Sequence, residues 1–376
     1  MGKAKERGPS GLLVIDKPLG MTSHDVVSKT RWIVGTRKVG HAGTLDPEAS
    51  GVLLVGLNKA TKLLTYLVGQ DKTYEATIVL GAATVTEDAQ GELISVAPSF
   101  PVRSLFPDAD GAKERVLVAM AALTGEIEQV PSAVSAIKVN GVRSYARVRA
   151  GEAVELAARP VTISEFELLD MRRGMLVTGD YGVSESANTK ELSICPDSGE
   201  VPARIDTVEL DVRVSCSSGT YIRALARDLG AALGVGAHLK TLNRSRVGAV
   251  YQSEATSLDT LVRAREDASE PLDAFPHMPL EELAKRLFEV RELSAAEATD
   301  ISFGRGIEPV AGDKATKSPS SDGANSAHAS TRGLRAAFAP DGTLVALLRT
   351  KKVPARVGGG VKAVPELVFE AGKTFS

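Results

Sequence analysis

The stretch His41-Ala42-Gly43-Thr44-Leu45-Asp46-Pro47-Glu48-Ala49-Ser50-Gly51, running straight into Val52-Leu53-Leu54-Val55, constrains this chain more than any other. Gly43 and Gly51 permit backbone angles that side-chain-bearing residues resist, and Pro47 fixes its own φ, so the segment predicts a tight turn leading into an apolar strand. Asp46 then stands on a loop held by rigid scaffold, where chemistry is commonly carried. An Asp-Pro turn that merely joins two strands fits the same letters.

Around this turn, short β-type runs alternate with a few helical ones. Leu12–Ile15, Val52–Leu57, Tyr74–Leu80, Val161–Leu169 and Thr207–Ser215 read as strands with Gly, Pro or Asp at their borders. Ser23–Val34 reads as a helix with Ser23 as N-cap, and Arg115–Leu123 and Thr220–Leu233 read as two more. Strands and helices without regular βαβ alternation predict an α+β fold. Residues 171–205 break the texture: Gly179–Lys190 is polar and turn-rich, the mark of a surface insertion or hairpin tip. Residues 311–332 hold too little apolar surface to order themselves. Between and beyond them, Leu280–Val290 reads as a helix, Ala295–Ala298 as a short one, and Leu334–Ala339 with Leu344–Leu348 as a hairpin around Pro340-Asp341-Gly342. Val353–Val368 adds a further strand.

The 376 residues are ample for two or three domains. A net charge of −2 excludes a protein that coats nucleic acid with its whole surface. Yet residues 1–75 and 213–246 are each basic, which suits a local polyanionic partner. Cys195 and Cys216 alone make neither a disulfide framework nor a four-thiolate zinc site, and they fit a reducing compartment. No signal-like or membrane-spanning apolar run is present, so a soluble cytoplasmic protein is expected. His41 lies near Asp46, but His24, His238, His277 and His328 are scattered, so no metal site is expected.

Several blocks resemble, in order, the TruB family of tRNA pseudouridine synthases. They are Gly11–Pro18 and Gly20–Asp25, Lys38–Pro47 with Gly51–Leu53, Lys72–Ala76, Ser135–Gly141 and Ser218–Gly230. The resemblance covers roughly residues 11–250, outside the insertion. One departure stands out. The family often places paired prolines before the Ser-Ala-x-Lys block, whereas here Val130 precedes the single Pro131.

The resemblance implies a pseudouridine-synthase-like, mixed and mostly antiparallel sheet with flanking helices, followed by a small β-rich PUA-like domain. The division expected is a catalytic domain at 1–278 and an RNA-binding domain at 279–376, interrupted at 311–332. The implied activity is isomerisation of uridine 55 in the T loop of tRNA, with the T-arm stem-loop as partner and no obligatory protein partner. The reaction has no net redox change and asks for no cofactor.

The resemblance also assigns roles. Asp46 is the catalytic carboxylate, as nucleophile or as base on the sugar. Arg223 is the cation that keeps such a carboxylate ionised, and Tyr74 is the active-site ring. Tyr221 walls the pocket, and His41 meets the RNA as the target base leaves its stack. Lys17, Lys38, Lys138, Arg143, Arg147, Arg244 and Arg246 are candidate phosphate contacts, Lys17 also as a support of the pocket loop. Asp88 either positions RNA bases or makes its turn. Each of these residues also has an ordinary structural reading, as salt bridge, strand tyrosine, turn histidine or solvated charge. Two rival functions share much of the pattern: a guide-RNA-dependent pseudouridine synthase, and a tRNA-binding or folding protein without catalysis.

Overall fold

The computed structural model describes residues 8–97, 99–134, 156–181, 203–267, 275–310, 333–353 and 359–376, with the backbone alone at 100, and the backbone alone at 138–139 and 142–143. The tip of the expected insertion (182–202), the segment 311–332, Arg147 and the side chains of Lys138 and Arg143 lie outside the described residues. The chain divides into two compact units, one made of residues 1–70 and 247–376, the other of residues 71–246.

The first unit begins with β1 (Gly11–Lys17), α1 (Ser23–Val34), β2 (Val39–Ala42), β3 (Ala49–Leu57) and α2 (Leu64–Val68). From Val52 to Leu57 strand β3 is buried and apolar on both faces, as a central strand is expected to be. β1 pairs with it antiparallel from Gly11↔Leu57 to Lys17↔Gly51, and β2 pairs from Val39↔Leu57 to Ala42↔Leu54. Helix α1 buries Val26, Val27, Thr30 and Ile33, the face its spacing predicts. Its cap differs from expectation by one residue. Thr22 accepts from the Asp25 N–H while the Asp25 carboxylate accepts from Thr22, a capping box that leaves Ser23 for another task.

The second unit holds β4 (Lys72–Leu80), α3 (Ala112–Ala122), β5 (Gly125–Gln129), β6 (Arg159–Val177), β7 (Arg204–Cys216), α4 (Ile222–Ala232) and β8 (Ala237–Val247). The strand order is β8-β4-β7-β6-β5. β4 with β7, β7 with β6 and β6 with β5 all run antiparallel. The β6–β7 ladder continues to Val177↔Arg204, so both ends of the expected insertion extend a hairpin.

The chain then returns to the first unit. Thr256–Ser257 runs parallel to β1, and Met278–Pro279 runs antiparallel to it. α5 (Leu280–Leu287) is shorter than its apolar spacing implied. The chain leaves the helix at Phe288, and β9 (Glu289–Glu292) pairs parallel with a strand more than forty residues on. Sheet pairing outweighs helical periodicity there. α6 (Ala295–Ser302) starts on a Ser294–Glu297 capping box. β10 (Leu334–Phe338) and β11 (Leu344–Lys352) form the expected hairpin, with β12 (Val361–Val368) beside β11. The result is a small four-stranded sheet in the order β9-β10-β11-β12. Leu12, Leu54, Leu63 and Leu67 from the start of the chain share one apolar core with Leu283, Phe288, Ala336, Leu347 and Phe369. Each of these leucine and phenylalanine side chains contributes about 1.5–3 kcal/mol on burial. No helix among the described residues is long and apolar enough to cross a membrane.

Candidate active site

The Asp46 turn is fixed by side chains that precede it in sequence. Gly43 and Gly51 take the left-handed angles their identity predicts, φ +82° and +98°. The Ser23 hydroxyl, freed from capping, accepts from the Leu45 N–H at 2.9 Å and donates to the Leu45 carbonyl at 3.1 Å. The Pro47 carbonyl accepts from the Gly20 N–H at 2.8 Å and from the Lys17 ammonium at 3.1 Å. Ala49 N–H closes the turn onto the Asp46 carbonyl at 3.1 Å. Lys17 is fully buried and also donates to the carbonyls of Pro18 and Met21, each at 2.7 Å. Of its two expected roles, the geometry gives it loop support. Asp46 itself is half-buried, a carboxylate carried on backbone tied at both flanks. Such preorganisation lowers the cost of bringing a reacting atom into line. His41 lies on β2 opposite Val55, half-buried.

In the second unit Tyr74 sits on β4 across from Val214, with only 8% of its surface exposed. Lys72, two residues before it and on the same face, pairs with Cys216 across the ladder. Burial lowers the Lys72 ammonium pKa to about 8, with the nearby Arg244 charge adding to the effect. Burial pushes the Cys216 thiol up to about 11, so it stays protonated and unreactive at neutral pH. Arg244, expected on a solvated groove, is buried instead. Arg246 donates from Nε to the Thr73 hydroxyl at 3.0 Å.

Helix α4 presents Arg223 and Arg227 one turn apart. Arg223 is buried; it donates to the Thr86 carbonyl at 2.9 Å and the Val134 carbonyl at 3.0 Å, and its Nε stands 3.8 Å from the Asp88 carboxylate. Asp88 also makes its turn, accepting from the Thr86 hydroxyl and from Gln90 N–H at 3.1 Å. Tyr221 precedes α4 as its N-cap, and its backbone is held on both sides by the buried Gln129 amide. The Tyr221 N–H donates to Gln129 Oε1 at 2.9 Å, and Gln129 Nε2 donates to the Tyr221 carbonyl at 3.1 Å. Lys138 lies opposite Arg143 in a two-residue ladder. Asp46, His41 and Lys17 thus belong to the first unit, while Tyr74, Asp88, Lys138, Tyr221, Arg223 and Arg244 belong to the second.

Residues 31–189 match the family described as TruB family pseudouridylate synthase, N-terminal domain, and residues 223–285 match the tRNA pseudouridylate synthase B C-terminal domain. The tRNA pseudouridine synthase B of Arthrobacter sp. (strain FB24) is 49% identical over 96% of both chains. The protein of the same name from Mycobacterium sp. (strain KMS) is 45% identical over 91% of this chain and 95% of its own. This chain belongs to the TruB family of pseudouridylate synthases. It is therefore a member of an isomerase family. Among solved structures, the archaeal box H/ACA sRNP Nop10-Cbf5 complex holds a chain of the same fold, with TM-score 0.60 and 22% identity over 98% of this chain and 89% of that one. A Cbf5-Nop10-Gar1 complex matches with TM-score 0.59 and 24% identity over 96% of this chain and 85% of that one. The mostly antiparallel sheet and the separate small β-sheet are thus the pseudouridine-synthase fold that the motif blocks implied.

Sequence reading of this TruB-family chain missed Ser23 as a turn clamp, Gln129 as the Tyr221 anchor and Glu87 as an ion-pair partner of Arg227. The signal available for Ser23 was the adjacent Thr22-x-x-Asp25 capping box, which makes a second capping hydroxyl redundant. For Gln129 and Glu87 no local signal exists, because their partners lie 92 and 140 residues away.

Proposed function

We propose that this TruB-family enzyme converts uridine 55 in the T loop of tRNA to pseudouridine, with Asp46 as the reacting carboxylate. The C1′–N1 bond breaks, the uracil turns, a C1′–C5 bond forms and the C5 proton is lost to solvent while N1 regains one, so atoms and electrons balance without a cofactor. The observation that carries the reading is the Asp46 turn: a half-buried carboxylate on backbone pinned by Ser23, Lys17 and Gly20. The tRNA in the reading comes from the names of the relatives above. Tyr74 is assigned the ring against the flipped base, Arg223 the cationic support of the site, and Tyr221 and His41 the RNA-facing contacts. Lys138, Asp88, Lys17 and Arg244 complete the expected set, the last two acting from within the fold. The division into a catalytic part, 1–278, and a PUA-like part, 279–376, belongs to the same reading, as does recognition of the T arm by shape.

The test is pseudouridine mapping on an unmodified tRNA transcript incubated with the purified chain alone, beside Asp46→Asn. The expected result is new pseudouridine at position 55 with wild type and none with the variant, whose tRNA affinity is kept because shape is kept. Turnover by Asp46→Asn refutes the assignment. Product only when a guide RNA or partner protein is supplied refutes the stand-alone enzyme.

A further inference from the structure

Arg227, one turn beyond Arg223 on α4, does more than solvate a helix face. Its Nη1 donates to the Glu87 carboxylate at 2.6 Å, its Nη2 to the Val130 carbonyl at 2.8 Å and its Nε to Asp228 at 2.9 Å. The second Glu87 oxygen accepts from the Ser132 hydroxyl, which is fully buried. Glu87 holds this position in a left-handed backbone, φ +62°, a conformation non-glycine residues rarely adopt. Its own carbonyl accepts from Leu239 N–H at 3.0 Å.

The same two backbone segments are therefore gripped twice. Arg223 takes hold of Thr86 and Val134, and Arg227 takes hold of Glu87 and Val130. The segment 130–134 is thus held by hydrogen bonds from two guanidinium groups, and charge-assisted hydrogen bonds are the stronger kind.

We infer that the Arg227–Glu87–Ser132 contact is a positioning clamp: it locks the 86–88 turn and the 130–134 segment onto α4 and so fixes the direction of the Arg223 guanidinium. Glu87 and Arg227 act through Arg223, and the inference rests on the role given to Arg223 above. A guanidinium displaced by a fraction of an ångström stabilises charge less well in the transition state, while RNA binding elsewhere is untouched.

The experiment measures kcat and KM on an unmodified tRNA transcript for Glu87→Gly, Arg227→Gln, Arg223→Lys and the double variant Glu87→Gly with Arg223→Lys, with thermal melts of each. Glycine suits the left-handed angle, so Glu87→Gly removes the carboxylate without adding backbone strain. Arg227→Gln breaks the same contact from the other side. The expected result is kcat lower by roughly tenfold in both single clamp variants, with KM changed by less than about threefold. The double variant loses no more than Arg223→Lys alone, since the clamp acts through that side chain. Wild-type kcat in both clamp variants alongside an impaired Arg223→Lys overturns the clamp, as does a double variant whose losses multiply. Wild-type kcat in Arg223→Lys overturns the role of Arg223 itself, and the clamp's catalytic purpose with it.

Discussion

Lys17→Met tests the claim that the Asp46 turn is held from behind. The ammonium has three N–H donors, and the carbonyls of Pro18, Met21 and Pro47 accept them at 2.7, 2.7 and 3.1 Å. Each hydrogen bond from a charged donor is worth about 1.5–3 kcal/mol, a gross loss of about 5–9 kcal/mol for three. Against this, a buried ammonium carries a desolvation penalty of several kcal/mol that methionine does not. The net expected cost is about 2–4 kcal/mol, for the three carbonyls of the loop left without that donor. The functional loss is larger than stability alone explains. The Pro47 carbonyl keeps the Gly20 N–H, and the residue before it is Asp46. A displacement near 1 Å costs on the order of 100-fold in rate. Urea unfolding gives the first quantity, and single-turnover pseudouridine formation under conditions where the variant is folded gives the second. An unchanged midpoint with unchanged turnover would refute the reasoning, because it would mean the loop holds its shape without Lys17.

Gly91→Ala should cost about 1–3 kcal/mol by thermal melting and slow turnover, since an added Cβ would lie 2.4 Å from the Thr86 hydroxyl and 2.7 Å from its backbone nitrogen, in the turn that carries Asp88. A neutral outcome would show that this turn yields freely. Lys72 has a pKa of about 8 in the folded chain against an ordinary 10.5, so the unfolded chain binds more protons between those values. Stability should therefore rise with pH from 8 to 10.5, and Lys72→Met should lack that rise. Chemical denaturation across that range checks it; a Lys72→Met variant with the same pH slope as wild type would contradict it.

Much of the fold was legible because its signals are local. The period-two run at Tyr74–Leu80, the i, i+3, i+4 face of Ser23–Val34 and the Asp341-Gly342 turn each announce themselves within a dozen residues. The turn around Asp46 was legible for the same reason, down to the left-handed angles at Gly43 and Gly51. What stayed hidden depends on partners distant in the chain. Nothing near Lys17 says that Pro47, thirty residues on, will bring its carbonyl to the ammonium. Arg244 reads as a surface cation by residue type, and only the packing of β8 buries it. At Phe288 helix and strand periods overlap, and the choice is made by the distant strand Leu334–Phe338.

The discontinuous first unit has a consequence for biosynthesis. Leu12 and Leu54 complete their core only with Phe369, so the earliest residues made must wait for nearly the last. At about 5–20 residues per second, translation of the intervening chain takes roughly 15–60 s. Through that interval the apolar strands at the start are exposed on the nascent chain, while residues 71–246, a contiguous unit, emerge together and close first. A pulse-labelled nascent chain should therefore show protease resistance in the middle before it shows it at the start, and chaperone contact should concentrate on the first seventy residues.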